Sequence, residues 1–434
     1  MTLTASRAGR QDTNLESIIL QSVHVQSVIQ RLGKHGIPKE TAEETASKFF
    51  HSIRSTHNPA AMFVSMQLSR LYLLLSFSNQ VKYTGLEKVL EILEKGKVAV
   101  ISNHASYGTV GDWFYFFSKN NIRQVYYGTG ENVPRESLKL TLIGRPVSFV
   151  LSKILDLWIH NSGAIYLKRS VRGKSDALFH AVLAAYESHL LQNGAIVHNY
   201  TGRGRQKEGF VEQLNLSATP GILEGAEWIV PASVTYGTIP EAVAFSQALA
   251  TEGKRQKKPR ENKSQASSIM WALMHVVNWK KLLDWTDKGY GQVYINFGEP
   301  IAATHYAPNG IVTDEEKDFF HSDITSRIVK LVTMTPKSAI AVALRDTQVN
   351  DWFKLLAYAD SLVQNAQKMG VHVSEDLQGG SYLALRDAFD YMAKKGAIRQ
   401  TSHYTYLIKD LRLIDFYANT ISVTLNSFAH SLKS

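Results

Sequence analysis

Residues 98–118 read VAVISNHASYGTVGDWFYFFS. Val98, Val100 and Ile101 form a short, mostly β-branched apolar run, the pattern of a buried strand. The run ends at Asn103-His104, and a glycine-containing loop leads to Asp112 and the aromatic run 113–117, read as a buried helix. A His at the carboxyl end of a strand, followed by an Asp at a helix start, is an arrangement that can do acid–base chemistry. Taken alone, a His in this position is more often a satisfied structural residue.

Working outward, the 434 residues suffice for two or three packed units, and 44% hydrophobic against 20% charged residues describes a globular chain. The absence of cysteine excludes disulfides, thiolate metal sites and cysteine nucleophiles. Residues 1–14 lack the apolar core of a signal peptide and read as a disordered lead. Residues 60–77 come nearest to a membrane span but are broken by Gln67, Ser69 and Arg70, which makes them an amphipathic or core helix. The net charge of +10 favours acidic partners, although no nucleic-acid signature accompanies it. The densest basic run, KRQKKPRENK at 254–263, reads as a solvated loop.

Before the opening stretch lie three helical patterns, at 15–32, 38–53 and 60–77, and a fourth at 87–95 that Gly96 stops. After it, strand-like runs at 124–127, 164–167, 195–198, 228–234 and 293–297 alternate with helical ones near 138–159, 174–192 and 268–285. That alternation is the mark of an α/β domain. Beyond Thr335-Pro336 the pattern turns to helices only, at 339–344, 350–369, 381–394 and 408–428. The expected organisation is therefore a helical unit over 15–80, an α/β domain over 81–310 and a C-terminal helical domain over 311–434.

Four stretches of the α/β region carry candidate chemistry. Asn103-His104 with Asp112 supplies a base and a carboxylate able to fix its tautomer. GAIYLKRSVRG at 163–173 opens a strand onto Lys168, Arg169 and Arg172, cations suited to a phosphate. NYTGRGR at 199–205 is a glycine-punctuated loop with Arg203 and Arg205. In IVPASVTYGTIPE at 229–241, Pro231 would shape a wall of the site. Each stretch alone reads as readily as ordinary solvated structure.

Their order resembles the glycerol-3-phosphate and dihydroxyacetone-phosphate acyltransferase family, within the glycerolipid acyltransferase superfamily. That family shows an Asn/Cys-His-x4-Asp block, a Gly-Ala-x4-Arg block, a Glu-Gly-x-Arg-Ser-Arg block and a proline-centred strand. The similarity continues in GQVYINFGEPI (291–301), MTPKSAIAVAL (334–344) and DFYANTI (415–421), and so covers nearly the whole chain from about residue 20. The resemblance implies a central mixed sheet flanked by helices. It also implies transfer of a fatty acyl group from a thioester of coenzyme A or acyl carrier protein to an acceptor hydroxyl. His104 would be the general base, oriented by Asp112. Lys168, Arg169, Arg172, Gly202, Arg203 and Arg205 would hold phosphate. No cofactor is required beyond the acyl co-substrate, no metal is required, and contact with the cytoplasmic membrane face is expected through 60–77 or 146–158.

Two departures fall inside the site. Seven residues separate His104 from Asp112 where the family has four, and Thr109 stands at the family's Asp position. Tyr200 and Thr201 stand where the family has Glu and Gly, and Gly204 where it has Ser. These changes point to an acceptor other than plain glycerol-3-phosphate. The competing readings are a catalytically silent relative that binds acyl chains or carrier protein, and an acyl-thioester hydrolase.

Overall fold

The computed structural model describes residues 14–77, 81–106, 108–122, 124–130, 159–167, 175–202, 206, 208–252, 290–310, 312–347, 349–379, 381–402 and 404–431. The expected helices near 138–159 and 268–285, apart from the end of the first, and the basic run at 254–263 lie outside them.

Three helices come first: α1 (Val23–Lys34), α2 (Lys39–Ile53) and α3 (Pro59–Ser76). Then follow β1 (Val81–Thr84), α4 (Leu86–Lys95), β2 (Val98–Ser102), α5 (Thr109–Lys119), β3 (Val125–Gly130) and β4 (Ala164–Leu167). Next are α6 (Ser175–Gln192), β5 (Ile196–Tyr200), α7 (Thr219–Gly225), β6 (Trp228–Tyr236), α8 (Ala242–Glu252), β7 (Val293–Phe297) and β8 (Ile301–Ala302). The chain ends in α9 (Asp314–Lys330), α10 (Pro336–Thr347), α11 (Trp352–Lys368), α12 (Tyr382–Lys394), the pair β9 (Ile398–Gln400) and β10 (Tyr406–Ile408), and α13 (Leu411–Ser431).

The main sheet runs β1-β7-β6-β2-β5-β3-β4, with β8 also on β6. It is mixed: β2 is parallel to both β5 and β6, while β7 and β8 run antiparallel to β6. All five residues of β2 are buried, as a strand covered on both faces requires. Its side chains alternate between two cores. Val98 and Val100 pack with Trp113 and Phe116 of α5 and with Ile340, Leu344 and Tyr417 of the C-terminal helices. Ala99 and Ile101 pack with Val182 and Tyr186 of α6, Ile29 and Phe50 of α1 and α2, and Ile324 of α9. The N- and C-terminal helices thus form the outer layers of one α/β unit.

Pro231 sits inside β6 opposite Ile101 and is buried, a place where a missing N–H would normally break a ladder. Its carbonyl accepts from Gly298 N at 2.8 Å, so its nitrogen faces the gap where the antiparallel partner changes from β8 to β7. The proline therefore costs no bond to β2.

Three expectations are corrected. The helix expected over 15–32 breaks at residues 21–22, where the Ser22 side chain caps α1. Strand β1 (VKYT) has no counterpart in the sequence reading; it is short, carries a lysine and gains order by pairing with β7. The C-terminal region is not helices only, because β9 and β10 form an antiparallel pair. Among the described residues, no helix is long and apolar enough to cross a membrane.

Candidate active site

The site is built at the carboxyl end of β2, where an open α/β sheet offers its ligand crevice. Register places Ser102, the last residue of β2, opposite Tyr200 of β5 and Ala232 of β6. Asn103, buried, extends this pairing with its side chain. Its Oδ1 accepts from Val234 N at 2.6 Å, and its Nδ2 donates to Val234 O at 3.0 Å. On the other flank Thr201 N donates to Ser102 O at 2.8 Å, and Gln206 N donates to His104 O at 3.0 Å. The corner that carries His104 is thus tied to both neighbouring strands.

From His104 the chain turns into α5. Thr109 N donates to Ser106 O, Ser106 N to Thr109 Oγ1 at 3.2 Å, and Gly108 N to Ser106 Oγ at 3.1 Å. Ser106 Oγ in turn donates to the Glu241 carboxylate at 3.0 and 3.1 Å. Asp112, fully buried in the first turn of α5, accepts from the hydroxyl of Tyr236 through Oδ2. That same hydroxyl lies 2.9 Å from Thr109 Oγ1. Asp112 Oδ1 is buried with no hydrogen-bond partner, so no hydrogen bond joins Asp112 to His104 among the described residues. The orienting contact expected between them is replaced by one between Asp112 and Tyr236. Burial pushes the Asp112 carboxyl up to about 7, and Glu241 adds to the rise while the Tyr236 bond opposes it.

The His104 ring stacks on Tyr200, with centroids 4.5 Å apart and planes at 24°. Tyr200 also meets His198 edge-on at 4.5 Å, and His198 packs against Trp113. His198 is completely buried, its Nε2 2.9 Å from Ser102 Oγ. Burial, assisted by His104, brings its pKa down to about 3, so it is neutral. A void of about 10 Å³, lined by Trp113, Phe117, Tyr127, His198 and Tyr200 among others, adjoins this stack.

No family model matches the chain. Over 211 residues it is 27% identical to the glycerol-3-phosphate acyltransferase of Xanthomonas campestris, a stretch covering 44% of this chain and 22% of that protein. Over 298 residues it is 24% identical to the glycerol-3-phosphate acyltransferase of Pseudoalteromonas translucida, covering 66% and 32% of the two chains. The chain is a relative of the glycerolipid acyltransferases. The aligned stretches thus span a third or less of these curated relatives. Among solved structures, the 1-acyl-sn-glycerophosphate acyltransferase PlsC of Thermotoga maritima matches at 13% identity with a TM-score of 0.32, over 73% of this chain and 94% of that one.

In this acyltransferase relative, the structure brings His104, Tyr200 and Gly202 to one edge of the sheet. Gly202 has φ +72°, and a Cβ there would lie 2.1 Å from the Glu212 carboxylate, so only glycine fits. Pro231 lies within β6 and opposite Ile101, one residue short of the strand ends that carry the site. Lys168, Arg169, Arg172, Arg203 and Arg205 lie outside the described residues, as do 146–158; the chain enters the first and second of these basic stretches from Leu167 and Gly202. The sequence reading did not single out Ser106, Tyr236, Glu241 or Gln206. Tyr236 and Glu241 fall inside the quoted stretch 229–241, and a tyrosine and a glutamate just past an apolar strand were the available signal.

Proposed function

We propose that this chain is an O-acyltransferase that moves a fatty acyl group from a thioester of coenzyme A or acyl carrier protein to an acceptor hydroxyl. The observation that carries the reading is the Asn103-His104 corner at the carboxyl end of β2, tied to β6 through Val234 and to the loop after β5 through Thr201 and Gln206. Kinship with glycerol-3-phosphate acyltransferases supports it.

Neutral His104 takes the acceptor's hydroxyl proton as its oxygen attacks the thioester carbonyl. The tetrahedral intermediate collapses, the carbon–sulfur bond breaks, and the imidazolium returns the proton to the leaving thiolate. Asp112 acts at one remove. Through Tyr236 and Thr109 it braces the turn between His104 and α5. Lys168, Arg169, Arg172, Arg203 and Arg205 hold phosphate groups of acceptor or donor. With Tyr200 in place of a carboxylate, the acceptor is not plain glycerol-3-phosphate.

The charge of +10 suits an acidic carrier protein as donor. A peripheral contact with the cytoplasmic membrane face belongs to the same reading. Phe63, Val64, Leu68, Leu71 and Leu74 of α3 are exposed along one side of the helix, whose Ser65, Ser69 and Leu73 are buried.

The test is turnover of palmitoyl-coenzyme A and palmitoyl-acyl carrier protein by the purified chain, with and without a panel of phosphorylated and plain alcohols. Thiol release that requires an acceptor and yields an ester supports transfer. Release without acceptor makes the chain a hydrolase, and donor binding without release makes it a silent acyl-binding relative.

A further inference from the structure

Gln206 holds a buried amide donor on a loop whose backbone is bonded to that of His104, and its orientation follows from its neighbours. Val234 N donates to Asn103 Oδ1, which fixes Asn103 Nδ2 as the atom facing both Val234 O and the Gln206 side chain. Nδ2 can only donate, so the Gln206 atom it meets, at 3.4 Å, is the oxygen Oε1. Gln206 Nε2 is therefore turned away from Asn103. It is buried, in a residue only 5% exposed, and has no hydrogen-bond partner among the described residues. The same residue's backbone N–H is bonded to His104 O at 3.0 Å, so this donor is anchored to the residue that carries the base. Thr201, 1% exposed and bonded through its backbone to Ser102, has on the same loop a second buried hydroxyl that finds no partner among the described residues.

Buried donors without acceptors cost folding free energy and are uncommon. One that is pre-aimed and pre-desolvated at a reaction centre stabilises charge that develops there. We infer that Gln206 Nε2 receives the thioester carbonyl oxygen of the acyl donor, and the negative charge that oxygen gains when the acceptor attacks. The N–H only donates; no proton changes hands, and the oxyanion reverts to a carbonyl as the thiolate leaves. Gln206 is then a catalytic residue of the reaction proposed above, and the inference rests on that reading for its chemical step but not for carbonyl binding.

Two measurements on the full chain separate them. The first is equilibrium binding of two unreactive analogues of palmitoyl-coenzyme A: a ketone, in which a methylene separates sulfur from carbonyl, and an S-hexadecyl thioether without the carbonyl. Wild type should prefer the ketone by about two- to tenfold, and Gln206→Met and Gln206→Glu, each shown by circular dichroism to be folded, should erase the preference. The second is acyl transfer, in which both variants should lose about a hundredfold or more in kcat. A wild type that shows the preference but no turnover removes the transferase reading and leaves the carbonyl site standing. Turnover with variants that keep both preference and kcat overturns the assignment of Gln206 while the transferase reading survives. A wild type that binds neither analogue overturns both.

Discussion

Thr109 and Asp112, three residues apart in the first turn of α5, converge on a single hydroxyl, that of Tyr236. Positions i and i+3 of a helix lie on one face. The longer spacing from His104 therefore moves the carboxylate one turn along α5 without turning it away from the site. What changes is its partner, Tyr236 in place of His104. Replacing Tyr236 with Phe strands Asp112 in a buried position without its hydrogen bond. The expected result is a loss of about 1–3 kcal/mol in urea unfolding and a further rise of the Asp112 carboxyl above about 7, read by carbon NMR of that side chain. An unshifted Asp112 titration would contradict the link.

Asn103 performs in side chain what β2 performs in backbone. Asn103→Ala leaves Val234 N and Val234 O unpaired in a buried strand. The variant should lose about 2–4 kcal/mol, and acyl transfer should fall beyond what the unfolded fraction explains, because the His104 corner loses its tie to β6. Asn103→Asp keeps the bond from Val234 N and loses the one to Val234 O, so it should fall between the two. Equal melting temperatures for Asn103→Ala and wild type would refute this.

Stability should depend on pH through Glu187. Buried on α6, with Oε2 accepting from Asn199 Nδ2 at 3.1 Å, it is pushed up by burial to about 8. The unfolded chain releases that proton near pH 4.3. The contribution of Glu187 is therefore full below about pH 4 and lost as pH rises through about 8. Asp112 acts in the same sense up to about 7, and His198, at about 3, in the opposite sense, full above its ordinary value and lost as pH falls. Between pH 5 and 8, wild type should lose about 1.4 kcal/mol per pH unit more than Glu187→Gln in urea titrations. Parallel curves would exclude Glu187 as the source.

Helices α6 and α7 meet without room for a methyl group. A Cβ on Gly221 would lie 1.9 Å from the backbone oxygen of Ala184, so the helices would have to part. Gly221→Ala should destabilise by about 1–3 kcal/mol in chemical unfolding. An unchanged midpoint would mean that the contact gives way freely.

How much of this was legible beforehand follows from the range of the interactions. Ala164–Leu167 and Val293–Phe297 stand where the sequence put them, because apolar runs buried on both faces announce themselves locally. Strand β1 was invisible because its order comes from β7, more than two hundred residues away. His104 was placed after a strand end and Asp112 at a helix start because both are local signals. The partner of Asp112 was not, because Tyr236 is 124 residues distant and reaches it only through the register of β6 on β2. The stacking of Tyr200 on His104 likewise depends on the pairing of β5 with β2.

In the proposed reaction His104 is the base of an acyl transfer. The most direct test of this role is acceptor-dependent ester formation from palmitoyl-coenzyme A by wild type and His104→Ala, with folding checked by circular dichroism. A folded variant should be slower by about a hundred- to ten-thousandfold. A folded His104→Ala that forms ester at the wild-type rate would contradict it.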